Sequence, residues 1–249
     1  MMTKIQVPFE WMFKKTLSPL FEEFGEDIKK LYATWRDLII TKTYNKIIDK
    51  DDNKILNLRI TRDIFWSGSY SDELICAEYF GWILASSRTI DWKDDGWIHY
   101  VETIKWLSSK QLLLHYIIYN SLNKIFLTNK LSINVRRISE LKNQSIVFSK
   151  KELCEKLQLN IDIDLNILCK QWLLQAYEYD TCNLDWVEIL SYVVINPSTF
   201  WILLYAVAHN KLENWQDFSN TLFEDFEDIL LPDYFEESIG ALLKKLQTP

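Results

Sequence analysis

The residues best suited to chemistry lie in one polar stretch, residues 87–96. Asp91, Asp94 and Asp95 supply three carboxylates there, and Arg88 stands shortly before them. Clustered carboxylates hold hard cations through their oxygen atoms, so this loop is a candidate metal or phosphate site, although no individual metal ligand is assigned. The alternative is a solvated turn in which Arg88 pairs locally, because acidic loops without a fixed ligand spacing are common.

Two of the eleven tryptophans accompany this loop. Trp92 and Trp97 flank its acids, and an aromatic ring with a polar N–H is well suited to a binding surface. We therefore treat both as candidate binding residues. The tryptophans that fall within apolar helical patterns are predicted to be buried instead: Trp35, Trp82, Trp106, Trp172 and Trp201.

His115 is the histidine with the most suggestive setting, because it stands in an apolar helical pattern that includes Tyr116 and Tyr119. A neutral imidazole near tyrosine hydroxyls can shuttle protons. The same pattern fits a hydrogen-bonded histidine within a core or at its border. We favour the core interpretation and keep His115 as a candidate site residue.

A basic segment follows, with eight Lys or Arg residues and three acidic ones between Lys124 and Lys156. Arg136 and Arg137 are its candidate nucleic-acid contacts. The order of a strand, a cap and a helix beyond them suggests a winged-helix-like unit. Nucleic-acid binding would require the basic residues to converge on one face, and the net charge of −7 opposes a general affinity for nucleic acid.

An acidic segment lies near the C-terminal end, where nine carboxylates and no Lys or Arg occur between Glu213 and Glu237. It is a candidate docking site for a basic partner, or an imitation of nucleic acid. A solvated face on an amphipathic helix explains the pattern equally well. The apolar residues with helical spacing are Trp215, Phe218, Leu222, Phe226 and Ile229.

No local motif indicates a reaction. The sequence contains no GxG or GK[ST] phosphate loop, no HExxH and no GxSxG. We assign no catalytic residue, no metal ligand and no cofactor, and the chain is more consistent with a non-enzyme. The four cysteines form no CxxC pair and indicate reduced thiols in a cytoplasmic protein. The most apolar run, residues 200–208, is too short for a membrane span, so none is predicted.

The composition predicts the fold class. Only 5 Gly and 5 Pro among 249 residues leave few turn formers, whereas a many-stranded sandwich or barrel needs frequent turns. We expect a mainly α protein, in which an N-terminal antiparallel helical cluster precedes a smaller α+β part with a few short strands. The predicted divisions are a helical cluster at 1–127, a candidate linker at 128–144 and the smaller part at 145–249, with one continuous domain as the alternative.

Apolar periodicity and capping residues predict helices through the N-terminal part, whereas Ile55–Ile64 is too short to assign. The predicted helices span about residues 19–48, 71–86, 97–107 and 110–126.

The C-terminal part mixes strand and helix signals. Ser145–Phe148 is strand-like, and Ser149 with Glu152 forms a capping box for a helix that reaches about Leu157. Further on we predict a helix at 165–177 capped by Asp164, a β-branched run at 186–195, and, after Asn196–Pro197, either a hairpin or the favoured helix at 197–208.

Three stretches carry a family resemblance: Ala77–Arg88, Leu107–Tyr116 and Asn196–His209. In that order they resemble the Abi-alpha-type proteins associated with abortive phage infection. The resemblance implies a soluble bacterial protein in phage defence or a related response, and it transfers no catalytic residue.

We therefore expect a protein-interaction or sensing component with a protein partner. The alternative is a nucleic-acid-binding or metal-dependent nuclease-like protein that uses the acidic loop or the basic segment.

Overall fold

The computed structural model describes residues 33–47, 49–68, 73–91, 95–142, 144–184, 188–209, 211–223, 225–226 and 229. These residues are mainly helical and include a small three-stranded antiparallel sheet, which confirms the predicted fold class. Contacts group the chain into two compact units. The first comprises Met1–Leu112 with Val207–Asn210, and the second comprises Leu113–Ala206 with Lys211–Pro249. The predicted linker at 128–144 stays a prediction.

The first unit is built from helices. The predicted helices at 97–107 and 110–126 are confirmed with small shifts. The stretch Ile55–Ile64, to which we assign no type from sequence, contributes to a helix at Leu58–Gly68. The helix predicted from residue 19 is described only from Ala33, and the predicted start at Ser71 lies outside the described residues. The helices are α1 (Ala33–Lys46), α2 (Leu58–Gly68), α3 (Leu74–Ser86), α4 (Ile98–Lys105) and the start of α5 (Ser109–Thr128).

Helices α1 and α3 approach each other closely in this unit because α3 carries a glycine at the contact. A Cβ atom added to Gly81 would lie 2.8 Å from Cβ of Lys42 and 3.1 Å from the backbone N of Thr43. Next to this contact Glu78 is buried and forms ion pairs with both Lys42 and Lys46. A buried carboxylate needs such partners, since an uncompensated charge is costly to remove from water.

The second unit joins helices to the sheet. After the rest of α5, its elements are α6 (Ile138–Leu141), β1 (Ile146–Ser149), α7 (Lys150–Leu157), α8 (Ile161–Lys170), β2 (Leu174–Leu184), β3 (Glu188–Pro197), α9 (Thr199–Ala208) and a 3₁₀ helix at Leu212–Asp217. The predicted strand and the predicted capping serine before α7 are confirmed, because Ser149 Oγ accepts the N–H of Glu152.

The strands lie in the order β1–β3–β2, and both pairings are antiparallel. Phe148 of β1 pairs with Val193, and Tyr179 of β2 pairs with the same residue from the other side. Helix α8 packs on β2, and α7 packs on β1 and β3. The apolar side chains beneath these helices are buried: Ile146, Phe148, Leu153, Leu159, Ile161, Leu165, Leu168, Val193 and Ile195.

The predicted helix at 165–177 is wrong in both its limits. Asn160 is the N-cap residue of α8, Asp164 lies in the first turn, and the helix ends at Lys170. Trp172 then adopts a left-handed conformation with φ 60°. This turn redirects the chain into β2, which contains Tyr177, because pairing with β3 satisfies the backbone there in place of helical hydrogen bonds.

The alternative between a hairpin and a helix around residue 197 resolves in favour of the helix, but Pro197 does not begin it. Pro197 is the last residue of β3, and α9 starts at Thr199. Proline tolerates a strand end because it lacks the N–H that would continue the ladder. Trp186, at the start of the predicted β-branched run, lies outside the described residues.

The apolar residues with helical spacing from Trp215 to Ile229 do not form the amphipathic helix that their pattern indicates, in the part of this segment that the structure describes. A short 3₁₀ helix ends at Asp217, and no helix occurs among the described residues of 218–229. Asn123 of α5 holds this segment instead, since its Nδ2 donates to the carbonyl oxygens of Phe218 and Thr221 at 2.6 and 2.9 Å. These carbonyl groups therefore have side-chain partners, which compete with helical hydrogen bonds.

The tryptophans predicted to be core residues divide into three groups. Trp201 is fully buried, whereas Trp35 and Trp82 are half-buried. Trp106 and Trp172 are 70% and 77% exposed, so their predicted burial is wrong. Trp106 and Trp172 lie one and two residues beyond the last residue of a helix. Helical spacing of apolar residues predicts which side chains are buried only within the helix, so it does not apply to them.

Within the described part of the chain, no helix combines the length and apolar character that crossing a bilayer requires.

Candidate functional site

The residues of the predicted acidic loop take separate roles in the first unit. Arg88 is buried and pairs with Asp52, and its guanidinium also donates to the carbonyl oxygen of Lys54 at 3.2 Å. Asp95 is exposed and pairs with Arg59 at 3.1 Å. Asp91 is exposed. Arg88 therefore pairs with Asp52, which lies outside the acidic loop, and not with one of the loop carboxylates described.

Two further residues of this loop, Trp92 and Asp94, lie outside the described residues. Trp97 is half-buried, and its ring lies 5.6 Å from that of Tyr100. Among the residues that the structure describes, no three His, Cys, Asp or Glu side chains are grouped so that they could hold a metal ion.

His115 lies in the core of the second unit, where it is 1% exposed. Its ring centroid lies 3.8 Å from that of Trp201 and 4.9 Å from that of Tyr119. The Tyr119 hydroxyl donates to the carbonyl oxygen of Leu173 at 2.9 Å and accepts the N–H of Ser198 at 3.0 Å. Burial raises the pKa of Tyr119 well above the ordinary range, so this phenol stays neutral and holds backbone in place.

The two candidate arginines are exposed in the loop before α6. Arg137 Nη1 donates to Glu140 Oε1 at 2.9 Å, and the backbone N–H of Arg136 donates to Asn134 Oδ1 at 3.1 Å. Lys130 and Lys142 are exposed as well. The ion pair with Glu140 therefore neutralises the charge of Arg137 within the basic segment.

The elements after this loop form a recognisable unit. Strand β1 leads through the Ser149 cap into α7, a three-residue turn connects α7 to α8, and the hairpin of β2 and β3 follows. Gln158 opens the turn in the left-handed region, with φ 50°. Such residues are usually glycine, because a Cβ atom is unfavourable there. The turn brings two helices together as a helix-turn-helix.

The order β1–α7–α8–β2–β3, with β1 paired to β3, resembles the order of elements in a winged helix-turn-helix. In nucleic-acid-binding helix-turn-helix proteins the second helix enters the major groove, and α8 is the second helix of this segment. No family model, curated protein or solved structure matches the chain. The likeness to a winged helix therefore rests on the order and pairing of these elements alone.

The charge of the second helix and hairpin is unusual for a unit of this shape. Residues 158–197 contain six acidic residues, Asp162, Asp164, Glu178, Asp180, Asp185 and Glu188, and one basic residue, Lys170. Of these acidic residues, Asp162, Glu178 and Asp180 are exposed, Asp164 is buried, and Asp185 lies outside the described residues. Exposed carboxylates attract cationic groups, whereas affinity for nucleic acid depends on Lys and Arg at the phosphate backbone.

The exposed part of this region surrounds the outer side of β2. We call it the β2 edge surface and define it by Asp162, Ile163, Glu178, Tyr179 and Asp180, all of which are exposed. Tyr179 pairs with the buried Val193, so its side chain lies on the face of the sheet that the helices cover. Glu178 and Asp180 lie on the opposite face, because successive strand side chains alternate.

Hydrogen bonds stabilise the ionised forms of Asp162 and Asp180 in this surface. The pKa of Asp180 is lowered because its carboxylate accepts the N–H of Thr181 at 2.7 Å and the hydroxyl of Tyr192 at 2.9 Å. The pKa of Asp162 is lowered chiefly by a hydrogen bond from the Tyr179 hydroxyl and also by Lys150. Both groups are anionic at neutral pH.

A groove of about 300 Å³ opens at the start of α7. Lys150 Nζ lies 4.3 Å from the centroid of the Tyr179 ring and 3.4 Å from Asp162 Oδ1. Burial and the Asp162 carboxylate raise the pKa of Tyr179 above its ordinary range, so the phenol is a neutral hydrogen-bond donor. These groups can bind and orient a ligand. The groove is lined by Lys150, Tyr179, Asp180, Thr181, Ser191 and Tyr192.

Our sequence reasoning missed the β2 edge surface because it assigned a helix across Tyr177. A usable signal is present: residues 176–180 read Ala-Tyr-Glu-Tyr-Asp, an alternation of aromatic and acidic side chains with the period of a strand. The apolar residues before this stretch have helical spacing, and we extended that helix across the alternating residues.

Proposed function

We propose that this protein is a protein-interaction component whose winged helix docks a basic polypeptide partner. The observation that carries the proposal is the acidic character of residues 158–197, which hold six acidic residues against one lysine, with Asp162, Glu178 and Asp180 exposed on α8 and β2. In a winged helix these elements form the recognition surface for nucleic acid, and here their charge opposes phosphate.

The exposed apolar side chains of the same surface support a polypeptide ligand. Ile163 on α8 is 55% exposed, and Tyr179 presents part of its ring beside Asp162. Protein interfaces combine apolar or aromatic anchors with a charged rim, and complementary charge increases the association rate and the specificity. A partner with Lys or Arg residues around an apolar side chain satisfies both features.

The resemblance to Abi-alpha-type proteins supports a bacterial setting and a role in phage defence for this interaction. That role is part of the proposal and rests on the resemblance alone. The candidate carboxylates of the first unit are not needed for it.

The experiment compares three probes with the full chain: a Lys/Arg-rich peptide, an Asp/Glu-rich peptide of the same length and a short DNA duplex. We expect the basic peptide to bind, and its affinity to fall as salt screens the charges. The acidic peptide and the duplex should not bind. Salt-dependent binding of the duplex with no binding of the basic peptide would contradict the proposal and favour the nucleic-acid alternative.

A charge-neutralising pair of variants localises the interaction. Glu178→Gln with Asp180→Asn removes two negative charges and leaves one acceptor oxygen in each side chain, so the affinity for the basic peptide should fall several-fold. The matched control is Glu213→Gln with Asp217→Asn, because both of these residues are exposed in the same unit. Equal losses in the two double variants would mean that binding does not involve the β2 edge surface.

A further inference from the structure

The outer edge of β2 is a long strand edge, whose register against β3 is continuous from Ala176 to Leu184 after a shift between Leu174 and Ala176. Strand β2 spans eleven residues and lies at one side of the sheet, whereas β1 at the other side spans four. Among the described residues, no strand pairs with β2 on the side opposite β3. Such an edge presents backbone N–H and C=O groups that another extended chain can use.

Local hydrogen bonding shows which residues present these groups. The N–H of Thr181 donates to Asp180 Oδ1 at 2.7 Å, so it is directed away from β3. In an antiparallel ladder, alternate residues direct both backbone groups to the same side. Tyr179 and Tyr177 therefore share the orientation of Thr181 and present their backbone N–H and C=O groups at the outer edge.

The side chains beside this edge differ between the two faces of the sheet. Glu178 and Asp180 lie on one face, and Tyr177 and Tyr179 lie on the other, with their ring centroids 5.5 Å apart. Cross-strand neighbours on the same face interact, and opposite charges or apolar pairs are favourable there. A strand added to this edge would meet carboxylates on one face and aromatic rings on the other.

We infer that the polypeptide partner binds as an additional β-strand along the outer edge of β2, through a segment in which basic and apolar residues alternate. The inference rests on the proposed function and adds its binding mode. Basic side chains would lie beside Glu178 and Asp180, and apolar side chains would lie beside Tyr177 and Tyr179. Strand addition of this kind takes its affinity from backbone hydrogen bonds and its specificity from alternate side chains.

A second copy of this chain is a poor occupant of the same edge. Antiparallel pairing of two β2 strands would bring Glu178 and Asp180 of one copy close to the same residues of the other. Like charges that face each other across a ladder are destabilising. The carboxylates thus oppose self-pairing and favour a basic segment.

The test uses the full chain and peptides of about nine residues, which is the length of a long strand. The first peptide alternates Lys with Val, the second contains the same residues in two blocks, and the third is the alternating peptide with N-methyl groups on every second amide. Affinity is measured by titration calorimetry. Amide hydrogen exchange of Tyr177 and Tyr179 is measured by NMR with and without each peptide.

We expect the alternating peptide to bind and to slow exchange at Tyr177 and Tyr179 about tenfold or more, since each amide gains a hydrogen bond. The N-methylated peptide with its methyl groups toward β2 should lose this protection and most of its affinity. Glu178→Lys with Asp180→Lys should weaken the alternating peptide, whereas the control Glu213→Lys with Asp217→Lys should not.

Other outcomes separate this inference from the proposed function. If the block and N-methylated peptides bind as well as the alternating one, and Tyr177 and Tyr179 exchange at unchanged rates, the added strand is excluded while a basic partner stands. If none of the peptides binds, both proposals fail. Protection of the two amides in the free protein at high concentration would identify a second copy as the occupant and overturn the inference.

Discussion

At the scale of single residues, Trp172 combines two unfavourable features. Its φ of 60° lies in the left-handed region, and its side chain is 77% exposed. A residue with a Cβ atom pays about 1–2 kcal/mol in that region, and so little of this indole is buried that packing offsets only part of the cost. The backbone is nevertheless fixed, because the Trp172 carbonyl oxygen accepts the hydroxyl of Ser198 at 2.8 Å.

We expect Trp172→Gly to raise the free energy of unfolding by about 0.5–1 kcal/mol, the relief of the left-handed conformation less the entropy of an added glycine. Chemical denaturation checks this. Trp106→Gly is the matched control, because Trp106 is similarly exposed but has φ −83°. The control should lose stability. A loss of stability in Trp172→Gly would show that the exposed indole stabilises the fold.

Because Tyr119 and Tyr205 are buried, we expect the free energy of unfolding to fall at alkaline pH. Burial raises the pKa values of Tyr119 and Tyr205, so the folded state keeps protons that the unfolded state loses above its ordinary tyrosine pKa of about 10. The stabilising contribution is complete below that pH and falls as the pH rises further. We expect the last rise in tyrosinate absorbance, which comes from the buried phenols, to coincide with loss of helical circular dichroism. Full tyrosine ionisation with a native helical signal would contradict this.

At the scale of secondary-structure elements, Gly81 determines how closely α1 and α3 pack. A glycine within a helix is normally less stable than alanine by about 1 kcal/mol. Here the added methyl group would lie 2.8 Å from Lys42 Cβ, and the next nearest atoms are backbone atoms of Lys42 and Thr43 in α1. The helices must separate before the methyl group can fit.

Gly81→Ala should therefore lower the free energy of unfolding, by about 1–3 kcal/mol for an overpacked contact, despite the better helix propensity of alanine. Thermal unfolding followed by circular dichroism provides the measurement. Gly96→Ala is a suitable control because Gly96 is an exposed turn residue whose φ is not positive. A stabilised Gly81→Ala protein would mean that α1 and α3 separate without cost.

The extent of successful prediction also differs between elements. Helices α4 and α5 and the Ser149 cap were predictable because apolar periodicity and a capping residue are local signals. The segment after Asp217 was not, because its conformation depends on Asn123, which is about a hundred residues earlier in the chain. The candidate surface was missed for a related reason, since β2 becomes a strand through pairing with β3.

At the scale of the whole molecule, the distribution of charge is more informative than its sum. The net charge of −7 is modest for 249 residues, yet residues 158–197 alone hold −5, from six acidic residues and one lysine. Among the described residues, Asp162 and Asp164 belong to α8, Glu178 and Asp180 to β2, and Glu188 to β3. A surface field of this kind acts beyond contact distance and guides an oppositely charged partner until salt screens it.

The outer edge of β2 has a consequence for aggregation. An unprotected strand edge of eleven residues is a template for fibrils, and proteins guard such edges with charged side chains. Glu178 and Asp180 are the charged side chains that oppose edge-to-edge pairing at β2. We expect Glu178→Thr with Asp180→Thr to produce concentration-dependent assemblies that bind an amyloid dye, whereas Glu213→Thr with Asp217→Thr should remain dispersed in sedimentation. On this view, the carboxylates that select a partner also prevent the chain from polymerising while it has none.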